Sequence, residues 1–115
     1  MEIRFPLILD GATGTELQKR GYGGDVSAEQ WTLEHPDVIV DIQRGYVAAG
    51  SQVLYTPTFG ANRQKLEERS IFNQTADYNR RLAALSRAAA GGKAWIAGYL
   101  APTGLFLVQL FFFYV

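Results

Sequence analysis

The chain has 115 residues, with eleven basic and eleven acidic side chains and no cysteine. A chain of this length forms one domain at most and is too short for a β/α barrel of ordinary size. The balanced charge offers no basic footprint for nucleic acid or an anionic membrane, and the lack of cysteine excludes disulfides, thiolate metal sites and a cysteine nucleophile. Because residues 1–6 also lack the pattern of a signal peptide, we expect a cytoplasmic protein that binds no nucleic acid.

A short apolar run, residues 7–9, leads into Asp10 and the glycine turn 11–14. The run predicts a strand buried on both faces, with Asp10 emerging at its carboxyl end. Thr13 and Glu16 have the spacing of a capping box, in which each side chain bonds the main-chain N–H of the other residue. The pattern therefore predicts a short helix that begins at the end of the turn.

The next segment, 21–30, is rich in glycine and polar residues and predicts a surface loop. His35 precedes Pro36 and Asp37, an order typical of a helix start. The single histidine is therefore predicted to be a cap or surface residue rather than a catalytic one. Apolar residues at helical spacing then predict an amphipathic helix that Gly50 ends.

Two further apolar runs predict strands at 52–55 and 94–98. Between them, the pattern predicts a short charged helix over 63–69 and a longer one over 75–90. Together with the run 7–9, the order is β-α-β-α-β, which predicts parallel strands joined by right-handed crossovers. This unit builds both doubly wound sheets and (βα)8 barrels.

The candidate site residues lie where predicted strands end. Asp10 could hold the ammonium of an amino acid while the amides of the turn 11–14 hold its carboxylate. The alternative is a carboxylate that only caps backbone amides, beside glycines that only permit a tight turn. The loop 58–62 is expected on the same side of the sheet as Asp10, at the carboxyl ends of the strands. There Phe59 would line the part of the pocket that holds an apolar substrate stem. The alternative is that Phe59 is an ordinary core residue and Asn62 only a helix N-cap.

The last eleven residues, 105–115, contain one polar side chain. They are too few to span a bilayer, which takes about twenty residues, and would be an aggregation hazard if exposed. We interpret them as an aberrant end from truncation or a shifted frame; the alternative is a genuine contact with a membrane or partner. The chain is accordingly divided into a domain portion, 1–104, and an apolar tail, 105–115.

Motifs spread along the chain, in order and with sensible spacing, carry a family resemblance. They are Asp10 to Gly21, Glu34 to Val38, Ala49-Gly50-Ser51, Thr56 to Arg63 with Lys65-Leu66, and Pro102-Thr103-Gly104. Together they resemble the amino-terminal part of the homocysteine S-methyltransferase domain. That domain occurs in cobalamin-dependent methionine synthase and in betaine–homocysteine methyltransferase.

The resemblance implies a (βα)8 TIM barrel, of which this chain carries about three β/α units. It also implies a homocysteine site at the carboxyl ends of the strands. Asp10 would receive the substrate ammonium, the amides of Gly11 and Ala12 its carboxylate, and Thr58 and Phe59 would line the pocket. In the family, zinc activates the thiol, and methylcobalamin or methylfolate in partner domains donates the methyl group that gives methionine.

The family's zinc ligands are cysteines on later strands, which this chain lacks. We therefore expect a fragment that is inactive alone and holds no cofactor itself. An open sheet edge and the apolar tail predict self-association. The alternative is a small noncatalytic α/β module that uses its tail for partner or membrane contact.

Overall fold

The computed structural model describes residues 2–68 and 72–105. The apolar tail beyond residue 105, and with it the alternative of a tail-docking module, lies outside the described residues. In chain order the elements are α1 (Gly14–Lys19), α2 (Ala28–Glu34), α3 (Pro36–Ala48), β1 (Val53–Tyr55), α4 (Arg63–Glu67), a 3-10 turn (Phe72–Gln74), α5 (Thr75–Ala90) and β2 (Trp95–Ala97). None of the helices in these ranges is long and apolar enough to cross a membrane.

The sheet is built around β1. β2 pairs with it in parallel, with Val53 opposite Trp95 and Tyr55 opposite Ala97. On the other edge of β1, Leu9 forms a parallel bridge to Val53, and the Asp10 N–H donates to the Val53 carbonyl at 3.0 Å. The predicted strands at 52–55 and 94–98 are confirmed and run parallel, while the first predicted strand is reduced to this bridge.

The first apolar run is not buried on both faces, and that prediction is wrong. Ile8 is 59% exposed and Leu9 is 46% exposed. Within the described residues, the run finds hydrogen-bond partners only along its β1 side. Its outer flank therefore faces solvent, as in any edge strand.

Small side chains let α5 lie close to the sheet. Leu54 of β1 is fully buried and packs in one cluster with Ala89, Ala90 and Ala94. Further clusters join α4 to α5 through Leu66, Tyr78 and Leu82, and join α1, α2 and α3 through Leu17, Trp31 and Ile42. Both Val53 and Leu54 of β1 are buried, and a cavity remains at the strands' carboxyl ends.

The predicted boundaries of α3 and α5 are confirmed. Pro36 is the first residue of α3, and Gly50 just past its end has φ of 110°. Gly91 ends α5 in the left-handed region, at φ 54°. His35 is the N-cap residue of α3 and is exposed, and its ring stacks on Trp31 at 4.2 Å between ring centroids, so the prediction of a cap or surface histidine is confirmed.

The capping box at the start of α1 does not form, although α1 does begin at Gly14 as predicted. Thr13 lies in the helical region, at φ −105° and ψ −52°, and its side chain makes no capping hydrogen bond. A capping side chain needs an extended backbone to reach back to the helix amides. Glu16 instead pairs with Lys19 at 2.9 Å and Arg20 at 2.6 Å, which are close neighbours on the same helix.

The predicted surface loop 21–30 is wrong over its last residues, because α2 begins at Ala28. Ser27 has an extended backbone, and its Oγ accepts a hydrogen bond from the Gln30 N–H at 3.1 Å. A serine followed three residues later by glutamine is a helix-start signal. The spacing of Ser27 and Gln30 is therefore the sequence feature that could have predicted the start of α2.

Candidate functional site

A cavity of about 540 Å³ opens at the carboxyl ends of the strands. Its walls come from Asp10 and the glycine turn, the start of α2, the end of β1 with the loop that follows it, and Tyr99 beyond β2. The described lining residues include two carboxylates, Asp10 and Glu29, and no lysine, arginine or histidine. The wall is therefore partly aromatic and carries negative charge without a basic side chain.

Asp10 both lines the cavity and bonds the sheet. Its Oδ2 accepts a hydrogen bond from the Tyr55 N–H at 3.1 Å. Burial raises the pKa of the Asp10 carboxyl, and the hydrogen bond from Tyr55 lowers it by less. A carboxylate can accept about four hydrogen bonds, so the bond to Tyr55 leaves capacity for a ligand.

Gly11 lies at the cavity wall, where the side chain of a larger residue would meet the Tyr46 ring. A Cβ on Gly11 would lie 2.7 Å from a ring carbon of Tyr46, whose hydroxyl donates to the Ala12 carbonyl at 2.7 Å. Ala12 follows outside the wall and is exposed. Within residues 2–68 and 72–105, the N–H groups of Gly11 and Ala12 donate to no other group of the chain.

Thr58 is buried behind the cavity wall rather than in it. Its hydroxyl donates to the Tyr99 carbonyl at 2.8 Å and lies 2.8 Å from the hydroxyl of Thr56. The Thr56 hydroxyl in turn accepts from the Tyr99 N–H at 3.0 Å. Thr58 therefore holds Tyr99, which lines the cavity, instead of lining it itself.

Phe59 stands at the cavity wall and is 55% exposed, so the alternative that it is a core residue is wrong. Its ring meets Tyr99 edge-on at 5.5 Å between centroids, and Tyr99 also contacts Tyr55 at 5.3 Å. The Asn62 part of that alternative is confirmed, since Asn62 caps α4 by accepting from the Lys65 N–H at 2.9 Å.

Glu29 is the cavity residue that the sequence interpretation missed. It lies in the first turn of α2 and is 8% exposed, and its Oε1 accepts a hydrogen bond from the Gly60 N–H at 2.7 Å. A Cβ on Gly60 would lie 2.9 Å from Glu29 Oε2, which explains glycine at position 60. No ion pair within the described ranges involves Glu29.

The residues present do not fit the zinc that the family resemblance implies. The chain has no cysteine, and no group of three or more histidine, aspartate or glutamate side chains in the described ranges could hold a metal ion. A zinc site of the usual kind needs three or four such ligands. The groups that this cavity offers to a ligand are therefore carboxylates, main-chain amides and aromatic rings.

Comparison with known proteins matches the chain to homocysteine methyltransferases. The family model described as homocysteine S-methyltransferase matches residues 7–111. S-methylmethionine–homocysteine S-methyltransferase BHMT2 from Pongo abelii is 34% identical over an alignment of 105 residues that covers 87% of this chain and 27% of that relative. Betaine–homocysteine S-methyltransferase 1 from Bos taurus is 40% identical over an alignment of 70 residues that covers 57% of this chain and 16% of the relative.

A solved structure shares the fold. The metallated form of the homocysteine methyltransferase MmuM from Escherichia coli superposes with a TM-score of 0.76 and 27% sequence identity. The match covers 90% of this chain and 40% of that chain. The present chain thus spans well under half the length of the proteins it resembles.

Proposed function

The chain belongs to the homocysteine S-methyltransferase family, and we propose that its cavity is the part of a homocysteine site built by amino-terminal β/α units of a (βα)8 barrel. The observation that supports this most directly is that Asp10 and Gly11 line the cavity, while the N–H groups of Gly11 and of the next residue, Ala12, donate to no other group within the described residues. An amino acid presents an ammonium and a carboxylate one carbon apart. An acceptor next to donors suits that pair.

The proposed roles follow from where each residue lies. Asp10 receives the substrate ammonium, and the amides of Gly11 and Ala12 receive its carboxylate. Phe59, on the cavity wall, covers the apolar stem of the substrate. Thr58 acts through Tyr99, whose backbone it holds at 2.8 Å, and is therefore a positioning residue.

The reaction proposed for the whole enzyme is methyl transfer to the homocysteine thiol, which gives methionine. The thiolate sulfur forms the new bond to the methyl carbon while the bond from that carbon to the donor breaks, and the thiol proton is released. The names of the relatives include S-methylmethionine and betaine, and methylcobalamin or methylfolate are the donors implied by the resemblance to methionine synthase. We propose that partner domains hold the donor, so that this chain binds homocysteine without completing the transfer.

Titration calorimetry with the full chain and L-homocysteine under reducing conditions tests the binding proposal. Asp10→Asn keeps an acceptor for the Tyr55 N–H but removes the charge, so homocysteine affinity is expected to fall about ten- to hundredfold, as for a charged hydrogen bond of roughly 1.5–3 kcal/mol. Asp25→Asn, an exposed aspartate outside the cavity, is the matched control and should bind like the parent.

Two outcomes contradict the proposal. One is that the parent chain fails to bind homocysteine; the other is that Asp10→Asn binds as tightly as the parent. Methionine formation by this chain alone, supplied with zinc and S-methylmethionine, would overturn the proposed inactivity.

A further inference from the structure

Glu29 sits in the cavity wall as a carboxylate that is more than nine-tenths buried. The other acid in the wall, Asp10, is only half-buried. Removing a carboxylate from water is costly unless a cation or several hydrogen-bond donors compensate it. Within the described residues, Glu29 has the Gly60 N–H as its hydrogen-bond donor and has no basic side chain beside it.

The hydrogen bond to Gly60 does not by itself call for a charged residue. It engages Oε1, and glutamine would offer an equivalent oxygen at the same place. What glutamate adds is a negative charge and a second oxygen in a wall that has no positive side chain. A ligand that brings its own cation would compensate that charge.

We propose that Glu29 is a specificity-determining residue that receives the substrate ammonium together with Asp10. The site then selects thiols that carry an amino group over thiols that lack one. This inference rests on the proposed homocysteine site and names the part of the substrate that α2 recognises. It also gives α2 a function in the wall beyond its packing against α3 and α5.

The test compares L-homocysteine with 4-mercaptobutanoate, which has the same thiol, chain and carboxylate but no amino group. Calorimetry is run on the full parent chain, on Glu29→Gln and on Glu34→Gln. Glu34 lies on the same helix, is exposed and is outside the cavity wall, which makes it the matched control. Far-UV circular dichroism and the thermal unfolding midpoint show that each variant is folded.

Glu29→Gln is expected to weaken homocysteine binding about ten- to hundredfold and to leave 4-mercaptobutanoate within about twofold of the parent. Glu34→Gln should leave both affinities unchanged. Equal losses for the two thiols in Glu29→Gln would mean that Glu29 does not act on the substrate amino group, and would overturn the inference. Unchanged homocysteine binding in Glu29→Gln would overturn it as well.

Asp10→Asn provides a second measurement that does not depend on altering α2. In this variant Glu29 remains, so a reduced but measurable preference for homocysteine over 4-mercaptobutanoate should persist. Equal affinity for the two thiols in Asp10→Asn would contradict a role for Glu29. If the parent chain binds neither thiol, the proposed function itself fails; if it binds homocysteine and only the Glu29 outcomes disagree, the inference alone fails.

Discussion

Asp10 lies where burial disfavours the charged form of its carboxyl. Burial raises the pKa of this carboxyl, which means that the folded protein holds the proton more tightly than the unfolded chain does. Ionised Asp10 therefore costs stability at every pH above its raised pKa. A residue that destabilises the fold and faces a cavity is a common feature of binding sites.

Asp10→Asn is expected to raise the thermal unfolding midpoint at pH 7, because the amide keeps an acceptor for Tyr55 N–H and removes the desolvated charge. The gain should shrink as the pH falls through the raised pKa of Asp10 toward 3.8, its ordinary value, because the parent is then protonated too. Circular dichroism melts at pH 7 and pH 4 measure the difference. A variant that melts below the parent at pH 7, or a gain shared by Asp25→Asn, would contradict this account.

Gly11 is required by the Tyr46 ring rather than by its own backbone angles. Gly11→Ala would place a Cβ 2.7 Å from that ring, whose hydroxyl is tied to the Ala12 carbonyl. We expect a loss of about 1–3 kcal/mol in the free energy of unfolding, typical of an overpacked contact. Urea denaturation measures it.

Gly14→Ala is the matched control for Gly11→Ala, since nothing lies within 4 Å of a Cβ at Gly14. The control should lose no stability. Equal losses in the two variants would show that the glycine turn needs flexibility rather than space at Gly11.

At the residue scale, the sequence predicted Asp10, Gly11 and Phe59 at strand ends, and these residues do line the cavity. It did not predict Glu29, because residues 29 and 60 come together only in the folded chain. No local pattern marks a buried carboxylate that bonds a glycine thirty-one residues away. Thr58 was predicted on the correct loop, but the direction of its side chain is set by hydrogen bonds to the Thr56 hydroxyl and the Tyr99 carbonyl.

Among the helices, α2 is the one whose start depends on a side-chain cap that the sequence interpretation passed over. Ser27→Ala removes the Oγ that accepts from Gln30 N–H and should lower the free energy of unfolding by about 1 kcal/mol. Thr13→Ala, at the start of α1, should change it little, since Thr13 makes no capping bond. Urea denaturation of both variants gives the comparison, and a larger loss in Thr13→Ala would reverse it.

The helices that the sequence predicted well are those with an apolar stripe. The pattern predicted a stripe of Tyr78, Leu82, Leu85 and Ala89 on α5; all but Leu85, which is half-buried, are buried. α2 instead buries Glu29, Trp31 and Thr32, a mixed set without an apolar period. Periodicity therefore predicts α5 and is silent on α2, and only the cap marks where α2 begins.

For the molecule as a whole, the outer flank of the run 7–9 is an exposed edge of the sheet. We expect the parent chain to self-associate through this edge, because an unpaired strand edge with apolar side chains is a template for pairing. Ile8→Lys should shift sedimentation velocity profiles toward the monomer. Ile3→Lys, at a comparably exposed isoleucine outside the bridge, is the control, and a monomeric parent or an equal effect in the control would contradict the prediction.

The overall architecture followed from the order of apolar runs, since two of the three predicted strands form and run parallel. The burial of the first predicted strand, residues 7–9, could not be predicted from the apolar run. Burial on both faces depends on neighbours that are distant in sequence, and an apolar run has the same composition whether or not they are present. The order of apolar runs thus predicted parallel strands but not how much of the sheet is covered.

The pair of threonines behind the cavity has a consequence beyond binding. The Thr56 hydroxyl accepts from the Tyr99 N–H and the Thr58 hydroxyl donates to the Tyr99 carbonyl, so two side chains replace a backbone partner two residues past the end of β2. Tyr99 lies outside any strand and its residue is exposed, yet its amide should exchange with deuterium as slowly as those inside the ladder. The rim of the cavity would then open only when the sheet beneath it opens.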